Sequence, residues 1–242
     1  MTSVRVSTGE AAGLAEILGV PALPGLNTVT NGAPSTDVGE LVDRGFVTVE
    51  ESEFRICEPL STVLKPLVEA DALVSVSRAP KAAVPENRVW LVGPGAAVEV
   101  REAGRDAVEL EDIEVRAMRP RLFEFTFLDE RPRPAGTRFT APSAELHAAT
   151  LSGSVAGAAG LTAAAEPFVE ALENVTAIFT LDGVVREGDE QRFARIVWFD
   201  CGAGGLWLLT PEGQDDVSIE PANRAAILDR LAGLLRLDEP GT

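Results

Sequence analysis

Two stretches of this chain repeat one another. Arg88-Val89-Trp90-Leu91-Val92-Gly93-Pro94-Gly95-Ala96-Ala97-Val98 returns as Ile196-Val197-Trp198-Phe199-Asp200-Cys201-Gly202-Ala203-Gly204-Gly205-Leu206, which sets Trp90 and Trp198 108 positions apart (198 − 90 = 108). Gly104-Arg105-Asp106-Ala107-Val108-Glu109-Leu110-Glu111 then matches Gly213-Gln214-Asp215-Asp216-Val217-Ser218-Ile219-Glu220, an offset of 109 (213 − 104 = 109). Upstream, Pro66-Leu67-Val68-Glu69-Ala70 pairs with Pro167-Phe168-Val169-Glu170-Ala171, and Ala33-Pro34-Ser35 with Ala141-Pro142-Ser143. Four matches in one order indicate a duplicated unit of about a hundred residues, far longer than a solenoid repeat.

Hydrophobic periodicity gives each half the same plan. In the first half, Ser7 to Gly19 reads as a capped helix with Leu14, Ile17 and Leu18 on one face, and Thr36 to Gly45 as a second, short helix. Phe46–Val49 and Phe54–Cys57 read as a hairpin, and Pro59 to Asp71 as a third helix. Alternation then predicts strands at Leu73–Ser77, Arg88–Val92, Ala97–Arg101 and Ala107–Glu111, with Arg78 to Glu86 a loop punctuated by Pro80 and Pro85. In the second half, Ala144 to Leu172 reads as an Ala-rich helical region, followed by strands at Val175–Phe179, Phe193–Phe199, Leu206–Leu209 and Val217–Ile219. Leu181 to Asp189 reads as a loop, and a last helix starts at Pro221 with Ile227, Leu228, Leu231, Leu234 and Leu235 along one stripe. Helices then strands, twice, is an α+β fold: two helix-then-antiparallel-meander halves related by a quasi-two-fold, with their strands joined in a shared or extended central sheet. The expected division is a first repeat over 1–113, a connector over 114–140 and a second repeat over 141–242.

Composition narrows the function classes. At 45% hydrophobic residues the chain can build a core, and its formal net charge of −17 repels nucleic-acid phosphates and anionic lipid surfaces. No apolar run reaches the roughly 18 residues of a membrane helix, and the N-terminus lacks the pattern of a signal peptide. With only Cys57 and Cys201 there is no disulfide framework, so a cytoplasmic protein is expected. Arg116, Arg119, Arg121, Arg131, Arg133 and Arg138 make the expected connector locally basic, the mark of a solvated linker or an anion contact.

No catalytic constellation stands out. His147, the lone histidine, falls in the Ala-rich helix, and one histidine with two cysteines cannot supply a zinc site. Cys201 occupies the repeat position of Gly93, a turn, so a nucleophilic pairing with His147 is the lesser reading. The glycines of Gly202-Ala203-Gly204-Gly205 sit between strands and lack the Lys-Ser/Thr ending of a phosphate loop. The acidic residues show no spacing that singles out a pair. Trp90 and Trp198, being repeat equivalents, read as core. Trp207 counts as the counterpart of Glu99, and a solvent-facing position there would leave it exposed to anchor a partner. Catalytic residues, metal ligands and cofactors are accordingly expected to be none.

Val197-Trp198-Phe199-Asp200-Cys201-Gly202-Ala203-Gly204-Gly205-Leu206-Trp207, followed by Val217-Ser218-Ile219-Glu220-Pro221-Ala222, resembles the C-terminal region of the EspG family. The family pattern there is Trp-Phe-Asp-Thr, a glycine turn, an aromatic strand and a Val-x-x-x-Pro step into a final helix. The sequence departs from it at Cys201 and at Gly205-Leu206. The first half is similar more loosely, through its N-terminal helix, the helix end at Arg44-Gly45, and the stretch from Leu60 to Val68. The resemblance implies a quasi-two-fold α+β fold and a cytoplasmic chaperone of type VII (ESX) secretion. Such a chaperone binds the apolar tip of a secreted helical protein or heterodimer, of PE/PPE-like or WXG type, and keeps it soluble. It also implies contacts through a loop between early strands, which maps onto 78–85 and makes Arg78, Pro80, Lys81 and Val84 candidate partner-binding residues; Trp207 joins them on its correspondence to Glu99 alone. A contact of that kind covers on the order of 1,600 Å², and an acidic chaperone favours a basic partner. Nucleic acid and membrane insertion are not expected; open sheet edges allow a homodimer. The alternative is a small-ligand-binding protein or enzyme with its site between the repeats, and a third reading is a scaffold within a larger assembly.

Overall fold

A computed structural model describes residues 2–19, 23, 38–51, 53–68, 70–104, 106–126, 130–146, 165–187, 190–213 and 215–235. Most of the expected loop at 20–32, the greater part of the Ala-rich region with His147, and the side chains of Leu234 and Leu235 lie outside the described residues. The chain is α+β with a large antiparallel sheet.

The first element is one that periodicity passed over. Strand β1, Ser3–Ser7, alternates Val4 and Val6 inward and pairs antiparallel with β7, Ala107–Ile113, with Val6 opposite Val108. Its last residue starts helix α1, Thr8–Leu18. The Glu10 N–H donates to Ser7 Oγ (3.0 Å) and the Ser7 N–H donates to Glu10 Oε2 (2.7 Å), a capping box that satisfies two N-terminal donors. Gly19 closes the helix at φ 68°, a left-handed conformation that glycine adopts without a Cβ clash. Helix α2, Val38–Asp43, the hairpin β2, Val47–Glu50, with β3, Glu53–Ile56, and helix α3, Leu60–Val68, follow as the sequence suggests.

Strands β4, Ala72–Pro80, β5, Glu86–Gly93, and β6, Ala96–Glu102, complete the first meander with β7. Helix α4 is Val115–Thr126, strand β8 is Phe139–Pro142, and helix α5 is Glu166–Leu172. Strands β9, Ala177–Glu187, β10, Glu190–Asp200, β11, Leu206–Glu212, and β12, Asp216–Ala222, lead into helix α6, Arg224–Leu235.

Two expectations change here. The stretch 181–189 is not a loop over most of its length: β9 runs on to Glu187, because Leu181 and Gly183 continue the inward alternation begun by Ala177 and Phe179. The expected connector over 114–140 begins as helix α4 and ends in strand β8. Pro120 and four arginine or glutamate side chains disguise that helix, yet Met118, Leu122 and Phe125 are buried at helical spacing.

The compact units cut across the expected sequence boundaries. The first unit comprises Met1–Ser75, Asn87–Pro120 and Val184–Arg192; the second comprises Val76–Glu86, Arg121–Gly183 and Phe193–Thr242. Strand order in the first runs β1-β7-β6-β5 and in the second β10-β11-β12-β8. The first core joins Val4, Val6, Leu14, Leu41, Leu60, Val63, Leu91, Val98, Val100 and Leu110. The second joins Phe139, Phe168, Val169, Phe199, Trp207, Leu209 and Ile219.

The two meanders keep one register. Ala97 stands opposite Ile113 in β6–β7, and Leu206 opposite Ala222 in β11–β12 (206 − 97 = 222 − 113 = 109). Trp90 stands opposite Glu99, whereas Trp198 stands opposite Leu208. The second turn is one residue longer, so the positional counterpart of Glu99 is Leu208 and not Trp207.

Candidate functional site

The loop expected to meet a partner is shorter than its sequence suggests, because Arg78 and Pro80 belong to strand β4 and only Lys81 to Pro85 lie between the strands. Arg78, a quarter exposed, reaches across to Glu86 on β5 at 3.7 Å (Nη1–Oε1). Lys81 ties the loop down twice. Its backbone N–H donates to the Thr176 carbonyl at 3.0 Å, and its ammonium donates to the Glu173 carbonyl at 3.2 Å. That second bond places a cation at the C-terminal end of α5, where unsatisfied carbonyls favour positive charge. Val84, by contrast, is 79% exposed, the most exposed of the large hydrophobics among the described residues.

The anchor beneath the loop is the Trp-Phe-Asp motif, a connection that sequence reasoning missed. The Thr176 N–H and its hydroxyl both donate to the Asp200 carbonyl (2.7 and 3.0 Å). The Asp200 carboxylate takes a fork from Arg131, Nε to Oδ1 and Nη2 to Oδ2, each 3.2 Å. Its Oδ1 also accepts the Gly202 N–H at 2.9 Å, which fixes the one-turn 3-10 segment Gly202–Gly204. Lys81, Thr176, Asp200 and Arg131 thus form one hydrogen-bonded chain within the second unit. The signal available in the sequence was Asp200 followed two residues later by glycine, the pattern of an aspartate that holds its own turn.

Trp207 does not stand at the surface. It is 1% exposed, its indole N–H donates to the Gly204 carbonyl at 3.2 Å, and its ring meets Phe168 edge-on at 5.2 Å. The expectation of an exposed anchor required a solvent-facing Glu99 at the equivalent position, but Glu99 is fully buried, and the longer turn makes Leu208 its counterpart. Trp207 sits one residue before Leu208, and so on the opposite face of β11, toward α5. Trp90 and Trp198 are fully buried, as expected of core residues, and Trp198 stacks on Phe179 at 4.9 Å with an interplanar angle of 2°.

The chemistry at Cys201 matches a structural role. The side chain is fully buried, and burial, with the neighbouring Asp200 carboxylate, pushes its pKa up to about 12. A thiol in that state is not a thiolate nucleophile at neutral pH. Among the described residues no three or more His, Cys, Asp or Glu side chains gather where they could hold a metal ion. A hollow of ≈ 520 Å³ lies along Ile178, Val197, Phe199, Leu209 and Val217 in the second unit, lined mainly by apolar groups. No helix among the described residues is long and apolar enough to cross a membrane.

No family model matches the sequence, and no curated protein matches it. The fold does match a solved structure: the type VII secretion system chaperone EspG5 of Mycobacterium tuberculosis in complex with a PE25–PPE41 dimer. The alignment covers 100% of this chain and 98% of that one, with a TM-score of 0.65 at 16% sequence identity. The resemblance to EspG carried by Trp198-Phe199-Asp200 is therefore met at the level of the fold.

Proposed function

We propose that this chain is an EspG-like chaperone that binds a secreted helical heterodimer of PE/PPE-like type and keeps it soluble before export. The whole-length likeness to EspG5, solved with such a dimer, carries this reading. The loop over 81–85 adds a chemical reason. Val84 offers apolar surface on a backbone that Lys81 and Thr176 hold in place, so a partner meets a preorganised contact and loses less entropy on binding. Arg78 and Pro80 shape the base of the loop from β4, and a net charge of −17 speeds encounter with a basic partner. The reading carries with it a cytoplasmic location, no enzymatic reaction and no cofactor. The strand-by-strand register of the two meanders supports a duplicated fold.

The test is co-expression with a PE–PPE-type pair, followed by size exclusion. A stable complex is the expected result, and Val84→Asp should release the pair while leaving the chaperone folded. A soluble pair that never co-elutes, or a complex indifferent to both Val84→Asp and Lys81→Glu, contradicts the proposal.

A further inference from the structure

The hairpin β2–β3 carries an apolar face that begins in the core and continues past it. Val47 stands opposite Ile56, and Val49 opposite Phe54, so all four side chains share one side. The inner pair is held: Val47 is 1% exposed and Ile56 packs on the first core. Phe46, beneath the guanidinium of Arg44 at 4.4 Å, braces the hairpin's root, and the Cys57 N–H donates to the Phe46 carbonyl at 2.8 Å. The outer pair is not covered: Val49 is 56% exposed and Phe54 50%. The opposite face is polar, with Thr48 across from Arg55 and Glu50 across from Glu53. A strand pair with alternating chemistry ordinarily buries its apolar side; here half of that side faces solvent.

The charge around this ridge says what can cover it. Glu50, Glu51 and Glu53 surround the hairpin tip, and Arg55 is the one cation on the two strands, 3.7 Å from Glu50. Glu51 holds a left-handed φ of 49°, the one non-glycine residue with positive φ among the described residues. Glycine or asparagine would sit there with less strain. A second copy of this chain is disfavoured as the occupant, because a self-complementary contact would set the same carboxylates against each other in an acidic protein. The spacing also selects. Directly opposed residues in a strand pair have Cβ atoms about 5 Å apart, close to the separation of i and i+4 side chains on a helix.

We propose that the outer half of the β2–β3 hairpin is a second docking surface, for an amphipathic helix of a partner protein whose apolar stripe is bordered by lysine or arginine. It lies in the first unit, and the loop over 81–85 lies in the second.

The experiment is fluorescence polarisation on the full chain. The probe is a labelled model helix of about 18 residues, five turns, with leucine at i, i+3, i+4 and i+7 and lysine along the borders. A scrambled peptide of the same composition is the comparison. The expected result is preference for the amphipathic order, weakened about tenfold by Phe54→Ser and further by Val49→Thr in the same chain. Unfolding curves of both variants should overlay the parent, because the two side chains are half exposed. Val84→Asp should leave the peptide affinity where it was. Equal binding of the scrambled peptide, indifference to Phe54→Ser, or loss on Val84→Asp each overturns the proposal. Hydrogen exchange gives an independent reading: protection on peptide addition should appear in Thr48–Arg55, and its absence there also overturns it.

Discussion

On the face of the first meander that holds Trp90, the neighbouring side chains are charged. Arg88 reaches Glu99 at 2.9 Å, Arg101 reaches Glu109 at 3.1 Å and Glu111 at 3.6 Å, and the Ser3 hydroxyl donates to Glu109 at 2.6 Å. On the face of the second meander that holds Trp198, the corresponding positions are Ile196, Leu208, Thr210 and Ser218, with only Glu220 retained as an acid. Helix α4 starts two residues after β7, and α6 starts two after β12; Met118 and Leu122 in one, Ile227 and Leu231 in the other, are buried at matching positions. The backbone plan is thus indifferent to whether this face is ionic or apolar. What both versions share is a fully buried tryptophan, a fixed register and a buried helix stripe. The ionic version is tolerated because its cations reach water: Arg88 is 27% and Arg101 35% exposed, although Glu99 is fully buried.

Exchanging the two chemistries is the sharpest way to break the comparison. Leu208→Glu places a carboxylate opposite Trp198 without the strand cation that Arg88 gives Glu99, and should cost about 3 kcal/mol or more in denaturant unfolding. Adding Ile196→Arg restores the counterpart of Arg88, and should recover part of that loss. If the double variant is no better than Leu208→Glu, the two faces are not equivalent.

The turns differ as the faces do. Gly95 and Gly205 both hold positive φ, 79° and 78°, yet a Cβ at Gly95 would meet nothing within 4 Å while one at Gly205 would lie 2.5 Å from the Pro132 carbonyl oxygen. Gly95→Ala should therefore cost about 1 kcal/mol from backbone strain alone. Gly205→Ala should cost about 2–3 kcal/mol, since backbone must also move. Equal costs would show that the Pro132 segment yields freely.

A smaller effect separates the faces by pH. The hydrogen bond from Arg101, then that from Ser3, holds the Glu109 carboxyl below its ordinary pKa. A depressed folded pKa contributes stability above the unfolded pKa and loses it as pH falls through the folded one. Acidification below about pH 4.3 should therefore cost the parent a few tenths of a kcal/mol that Glu109→Gln does not lose, the contribution being small because both groups are about one-third exposed. A parent and variant with parallel pH profiles would remove Glu109 from the account.

The smallest effect is chemical. Cys57, half-buried in the first unit, should react with a thiol reagent in the native state, while buried Cys201 should react only on unfolding. Two fast thiols would contradict the burial of the second turn.

Much of the architecture was legible in the sequence, because helix stripes and strand alternation are local signals. The α1 cap could be read from Ser7 alone, although Glu10 three residues on completes it. What escaped were elements whose apolar signal is interrupted. β1 has two inward valines, α4 is masked by Pro120 and its arginines, and the outer part of β9 is masked by Gly183 and charge. At the candidate site, the loop over 81–85 could be found from its prolines, but its tether could not. The bonds from Lys81 to Glu173 and from Thr176 to Asp200 join segments far apart in sequence. Trp207 was misplaced because the residue it was matched to, Glu99, is itself fully buried beside Arg88, and because an added turn residue moves that match to Leu208.

The most direct test of the partner-binding account is hydrogen exchange on this chain, alone and with a co-purified PE–PPE-type pair. The account predicts new protection over 81–85 and in Glu173–Thr176 beneath it. Complex formation with exchange unchanged across both segments would contradict it.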